Sequence, residues 1–410
     1  MVECRQLAGG RRWVREAPRL IRISALLRRW LALPLETIAA APGVTAVLAA
    51  VVALVASPSA ATAATPLSIS VTGNHFVNGA GQPVRLLGVD RPGTEYACEQ
   101  GWGYSSGALD SADAAAIESW NANAVRIPLN EDCWLGINGQ PSGGLTWSAY
   151  RRTVVDYVDD LNRDGIYAIL DLHWSAPGLV VANGQRAMPD PHSPVLWKSV
   201  ATTFKSNHAV VFDAFNEPYS PAADGYSAYP VSWSCWRSGG CTVPDAADGT
   251  APVTGQTYTA VGMQSLVSAI RATGATQPIM LGGLAYANDL TGWLANEPTD
   301  PDHQLSASAH VYNGEACSAV SCWNAELAPV AASVPLVTGE FDESDCSAGF
   351  DDSYMKWADA HGISYLAWGW FVLSSQPCSA MYLVTDSSGA PASPNGVAVR
   401  AHLKSLPALH

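Results

Sequence analysis

Charge is scarce in this 410-residue chain: 14% of it is Asp, Glu, Lys or Arg, against 48% hydrophobic residues. That balance excludes an intrinsically disordered chain and supplies enough apolar material for a large core. Basic residues are the scarcer kind, 22 against 36 acidic, and eight of those 22 sit with only three acidic ones in residues 1–63. Residues 64–410 therefore carry 14 basic and 33 acidic groups, a net charge of −19. A body that acidic repels phosphate backbones and anionic headgroups, which excludes nucleic acid and anionic membrane surfaces as natural partners. Neutral or cationic partners remain. Also missing are any C-x2-C pair, any H-E-x-x-H, any internal repeat and any Ser/Pro-rich linker in the body. The first two absences speak against a thiolate or zincin-type metal site, and the last two favour a single domain over residues 64–410.

What the first 63 residues do contain is a pattern. Arg-rich sequence from Arg5 to Arg29 precedes an apolar run of 13 residues, Val44–Ala56, and then Ala61-Thr62-Ala63. A basic region, a short apolar region and an A-x-A-like site are the layout of a cleaved export signal. A membrane anchor is the alternative, but this run is shorter than the roughly 20 residues a spanning helix needs. Arg28-Arg29 allows a twin-arginine route, and a start codon placed too far upstream explains the long basic region equally well. No second apolar run of spanning length follows, so a soluble, secreted protein is expected. Cysteine usage agrees: of nine, Cys4 goes with the signal and an even eight remain, as expected of disulfides in an exported chain.

Along the body, short apolar runs alternate with longer helical patterns. The strand candidates are 84–89, 124–129, 166–172, 209–215, 278–282, 305–310, 335–339 and 363–368. Helix candidates lie near 110–120, 147–164, 193–205, 254–273, 288–295, 323–332 and 351–361, two of them opened by the capping residues Asp110 and Thr146. Near-continuous apolar strands separated by helices imply a buried parallel sheet. Eight of them predict a (β/α)8 barrel, with a hairpin of 67–72 and 76–77 plugging its bottom. An open, doubly wound sheet is the rival, since counting strands does not prove closure.

In a barrel, residues just past the strand ends meet at one mouth. Arg126, His173, Asn216-Glu217, His310-x-Tyr312, Glu340 and Trp368-Gly369-Trp370 all fall there. Two carboxylates on facing strands are the minimum machinery of glycoside hydrolysis, one attacking the anomeric carbon and the other protonating the leaving oxygen. Arg126 is placed to keep a neighbouring carboxylate ionised, Tyr312 to donate a hydrogen bond to it, and Asn216 to grip a sugar 2-hydroxyl. Taken singly, Glu217 is equally a charge at a helix N-terminus and Glu340 a structural partner of Arg126.

Taken together, Val125-Arg126-Ile127-Pro128, Leu172-His173-Trp174, Asn216-Glu217-Pro218, His310-Val311-Tyr312, Gly339-Glu340-Phe341 and Trp368-Gly369-Trp370 resemble glycoside hydrolase family 5, the cellulase family. The likeness runs in order over nearly the whole body. It implies a barrel with Glu217 as acid/base after strand four and Glu340 as nucleophile after strand seven. Arg126, His173, Asn216, His310 and Tyr312 would support them, and an aromatic after strand eight would floor the −1 subsite, with Trp370 preferred to Trp368. Asp90 stands where many members carry an Asn, and the insertion at 219–253 and the Cys-rich loops are departures that bear on substrate choice. Seven loop tryptophans, Trp102, Trp134, Trp174, Trp233, Trp236, Trp368 and Trp370, are candidates for stacking on sugar faces. Trp120, Trp197 and Trp357 read as core. Adjacent loops of the barrel suggest the bridges 98–133 and 346–378, and short spacings suggest 235–241 and 317–322.

The expectation is an exported, retaining β-glycosidase without cofactor or metal, acting as a monomer on a neutral polysaccharide such as β-1,4-glucan. Mannan, another β-glycan or small plant glycosides are alternative substrates. A non-catalytic carbohydrate-binding barrel is the alternative of another class, disfavoured because both carboxylates are present.

Overall fold

The computed structural model describes residues 66–372, 377 and 380–409. The expected export signal lies outside the described residues. Eight strands form the centre: β1 (Leu87–Asp90), β2 (Ala124–Asn130), β3 (Tyr167–Trp174), β4 (Val210–Asp213), β5 (Ile279–Gly282), β6 (Leu305–Tyr312), β7 (Leu336–Asp342) and β8 (Ser364–Ala367). Each pairs in parallel with the next, and β8 returns to β1 through Tyr365, Leu366 and Ala367 against Leu87, Gly88 and Val89. The sheet closes, so the fold is a (β/α)8 barrel and the open doubly wound alternative falls.

Two apolar layers follow from the period of two along each strand. Val89, Val125, Ile127, Leu170 and Phe212 face outward and join the helices in the main core. Ala124, Ile169, Val211, Met280, Val337 and Leu366 face inward as a second cluster, which Ile69 and Phe76 complete. Those two residues belong to an antiparallel sheet of Ile69–Thr72, His75–Asn78 and Pro83–Val84, so the N-terminal hairpin does plug the barrel floor.

The helices obey their sequence signals. Thr146 caps Trp147–Arg163 by accepting from Ala149 N at 3.3 Å, and the buried stripe Tyr150, Val154, Tyr157, Val158 and Leu161 has helical spacing. Asp110 caps Ser111–Glu118 by accepting from Ala112 N and Asp113 N. Two helix expectations need correction. Over 254–273 only Met263–Arg271 is helical, because Thr257–Val261 alternates buried Tyr258 and Ala260 with exposed threonines and pairs with Gly239–Pro244. Over 288–295 the chain turns instead, since Asp289 Oδ1 accepts from Thr291 N and its hydroxyl, and only Leu294–Asn296 makes a 3-10 turn. A last helix, Asn395–Ser405, was not anticipated.

Disulfides Cys98–Cys133, Cys235–Cys241 and Cys317–Cys322 form as expected. The fourth expected bridge involves Cys378, which lies outside the described residues.

Candidate active site

Arg126 organises the mouth from inside the barrel. It lies within β2 rather than at the strand end, fully buried, and its inward side is set by the same alternation that turns Val125 and Ile127 outward. Its guanidinium meets four carboxylates: Asp90 at 3.1 Å, Asp171 at 3.0 Å, Asp213 at 2.8 Å and Glu340 at 2.7 Å. It also donates to Asn216 Oδ1 at 2.8 Å. Burial opposes the cation, but Asp171, Asp213, Glu340 and Asp90 raise its pKa well above the usual value. One arginine does not neutralise four buried acids: His173 adds a cation beside Asp171, and burial raises the pKa of others. Burial pushes Asp90 well above the ordinary carboxyl range and Asp213 up to about 6.

Glu340 behaves in the opposite way. Burial disfavours its anion, yet the charges of His310, Arg126 and His173 and the Tyr312 hydroxyl hold its carboxyl down at about 2. Tyr312 donates to Oε2 at 2.6 Å while Arg126 donates to Oε1 at 2.7 Å. Local sequence sets this up. The β6–β7 ladder steps from Ala309 opposite Thr338 to His310 opposite Glu340, so Gly339 is an extra residue that turns Glu340 to the inside. Glycine leaves the ring in place there: a Cβ on residue 339 would stand 2.9 Å from His310 Nε2 and 2.9 Å from Ser308 Oγ, and those side chains would have to shift.

Glu217 follows β4 on a left-handed backbone, φ +48°, a conformation few residues other than glycine adopt. Gln185, from the loop after β3, braces it by donating to Glu217 O at 3.0 Å and accepting from Asn216 Nδ2 at 2.7 Å. His310 Nδ1 lies 2.8 Å from Glu217 Oε1 and 3.5 Å from Glu340 Oε2. One oxygen of each glutamate and a ring nitrogen of His310 all lie within 4.8 Å of one another. Glu217 is the more open, with 19% of its side chain exposed against 5% for Glu340. These three donors have the spacing of a metal-binding set, but His310 is engaged with Glu217, and both Glu340 oxygens are bonded. A second such set, Glu131, Asp132 and His192, lies on the segments after β2 and β3.

Around the pair, His173 Nδ1 meets Asp171 at 2.6 Å. Burial lowers its pKa, but Asp171, with Glu95 and Glu340, outweighs that and lifts it to about 9, so the ring is charged at neutral pH. Trp368 stacks on this imidazole, ring centroids 5.8 Å apart. Trp174, Tyr96 and the exposed Trp102 continue the aromatic lining.

The preference for Trp370 is corrected. β8 ends at Ala367, so strand alternation no longer governs 368–370, and Trp370 turns into the wall. It is buried, packs on Trp120 and donates from Nε1 to Asp113 Oδ1 at 3.1 Å. Trp134 and Trp236 are buried too, so neither lines the cleft. Sequence reasoning missed Asp171, Asp213, Gln185 and Glu95. The first two were in plain view, since an Asp inside an apolar strand is costly without a partner and therefore points to one.

The cellulase family, glycosyl hydrolase family 5, matches residues 77–373. No curated protein matches the chain. Among solved structures, a β-glucanase from Saccharophagus degradans in complex with cellotetraose is similar at TM-score 0.60 and 19% identity, over 83% of this chain and 94% of that one. The catalytic domain of Thermobifida fusca endoglucanase Cel5A has TM-score 0.52 and 17% identity over 82% and 97%. A triple variant of an endo-β-1,4-glucanase from Xanthomonas axonopodis pv. citri has TM-score 0.54 and 16% identity over 79% and 100%. These likenesses concern the fold, while the family match covers most of the chain and includes every strand of the barrel. The chain belongs to glycosyl hydrolase family 5 and is a β-glycoside hydrolase.

Proposed function

We propose that this protein is an exported, retaining β-glycosidase that cuts β-1,4-glucan or a related plant polysaccharide by double displacement. The observation that carries the reading is the asymmetry of the two glutamates. Glu340 is kept as an anion by Arg126 and Tyr312, as an attacking group must be, and a Glu217 oxygen stands within 4.8 Å. So close an approach of one oxygen from each carboxylate supports retention, for which the two groups stand ~5–5.5 Å apart, over inversion, which spaces them ~6.5–9.5 Å apart around a water.

The steps follow from the placement. Glu340 attacks the anomeric carbon, and its bond forms as the bond to the leaving oxygen breaks. Glu217 gives its proton to that oxygen, then takes one from the water that hydrolyses the glycosyl-enzyme. Asn216 keeps one amide proton beyond its bond to Gln185, suited to a sugar 2-hydroxyl. Trp368, over His173, supplies an apolar face for the ring at the point of cleavage. The acidic body favours a neutral glycan, and solved relatives of this fold have been seen with cellotetraose and cellopentaose. Export is supported by the layout of residues 1–63 and by the disulfides.

The 219–253 insertion favours a second reading, the same chemistry on mannan, another β-glycan or small plant glycosides. Asp224 and Asp248 of that insertion are tied to Tyr286 by its hydroxyl, at 2.8 and 3.2 Å, and Tyr286 stacks on Tyr219, two residues from Glu217. An insertion fixed so close to Glu217 would wall one side of the cleft, as an exo-acting pocket requires. Product analysis over β-glucans, mannan and aryl β-glycosides decides: internal cuts in β-1,4-glucan support the first reading, and release of short units from chain ends or small glycosides supports the second. No hydrolysis of any of them, by a folded protein, refutes both.

A further inference from the structure

Behind the mouth, where the segments after β2 and β3 meet, two acids are buried side by side, and the basic group nearest to both is the His192 imidazole. Glu131 opens the short helix Glu131–Leu135 and is fully buried, and neither of its carboxylate oxygens has a hydrogen-bond partner of good geometry. Its polar neighbours are the Asp190 carboxyl and the Ser193 hydroxyl. Asp190 is fully buried as well, with Oδ1 accepting from His192 N at 2.7 Å and Oδ2 unpartnered. His192 Nδ1, also unpartnered, stands 3.9 Å from Glu131 Oε1 and 4.0 Å from Asp190 Oδ1. Asp132 adds a third carboxylate. It is fixed by Asn138 and by Ala182 N at 2.9 Å, and one of its oxygens lies within 4.8 Å of donors on Glu131 and His192. Arg186, whose charge Asp190 feels, is already bonded to Asp245.

We propose that Glu131, Asp190 and His192, with Asp132 beside them, bind a divalent metal cation. One imidazole nitrogen with carboxylate oxygens is a donor set for zinc or manganese. The His192 side chain is 26% exposed, so the cluster lies one side chain below the surface although its Nδ1 is covered. The role is structural: the ion ties the segment that carries the Cys98–Cys133 bridge to the start of the helix Ser193–Phe204. The proton is the competitor, because without a cation two buried carboxyls at this range share one.

The test uses the whole purified protein, stripped with chelator and then given zinc chloride or manganese chloride, with bound metal measured by equilibrium dialysis and stability by thermal melting. One equivalent is expected, with Tm rising about 3–5 °C at a hundredfold excess over Kd. His192→Ala and Glu131→Gln should each weaken binding at least tenfold, while Glu340→Gln keeps full affinity and so separates this site from the catalytic pair. Failure of both ions to bind, or unchanged binding in His192→Ala and Glu131→Gln, overturns the proposal. His192→Ala, at a partly exposed position, keeps the test decisive if Glu131→Gln does not fold.

Discussion

Replacing Tyr312 with Phe removes one hydroxyl and leaves the ring in place. That hydroxyl donates to Glu340 Oε2 at 2.6 Å, and the carboxylate that accepts it is buried. A hydrogen bond to a charged group is worth about 1.5–3 kcal/mol. At 1.36 kcal/mol per pH unit, its loss lifts the Glu340 carboxyl from about 2 to between about 3 and 4. The acid limb of kcat/KM, which requires the Glu340 anion, moves up by the same one to two units. Stability moves with it. A carboxyl depressed in the fold contributes stability above its unfolded pKa, near 4.5, and loses it as pH falls toward the folded value. In the parent that contribution is on the order of 3 kcal/mol, and the variant forfeits between about 40% and 80% of it. The assay is kcat/KM between pH 2.5 and 7 with urea melts at the same pH values. Superimposable profiles for parent and variant would refute the claim that Tyr312 holds the nucleophile ionised.

Glu217→Gln should slow hydrolysis of a natural glycan by 10²–10⁴-fold and spare aryl glycosides whose leaving group needs no proton, and equal losses on both would remove Glu217 from the acid role. Trp368→Ala should raise KM with little change in the melt, whereas Trp370→Ala should cost about 3–5 kcal/mol of stability, so a reversed pattern would mean that Trp370 lines the cleft after all. Gln185→Ala frees the Glu217 carbonyl and the Asn216 amide, and should lower kcat about tenfold with KM unchanged; a pure KM effect would contradict its bracing role.

Much of this was legible because burial imposes simple patterns. A strand that packs helices outside and side chains inside is apolar throughout, so eight strands and their order could be read directly. The pair Glu217 and Glu340 was legible because each ends such a run. What stayed hidden depended on interruptions of the pattern. The turn after Ala367 decides which of Trp368 and Trp370 meets the cleft, and no alternation rule extends past a strand end. The extra residue at Gly339 is invisible as a period, although a glycine before a strand-end acid was its one signal. Gln185 comes from a loop, where neither period applies. The strand at Thr257–Val261 was lost inside a helix expectation because its partner, Gly239–Pro244, lies in an insertion with no apolar run.

The most direct test is covalent capture. A 2-fluoro analogue of whichever glycoside the protein hydrolyses slows release of the glycosyl-enzyme, and peptide mapping then locates the sugar. One sugar per chain is expected, on Glu340, with loss of activity in step with labelling. A label on Glu217 or any other residue, or first-formed product of inverted configuration, would contradict it.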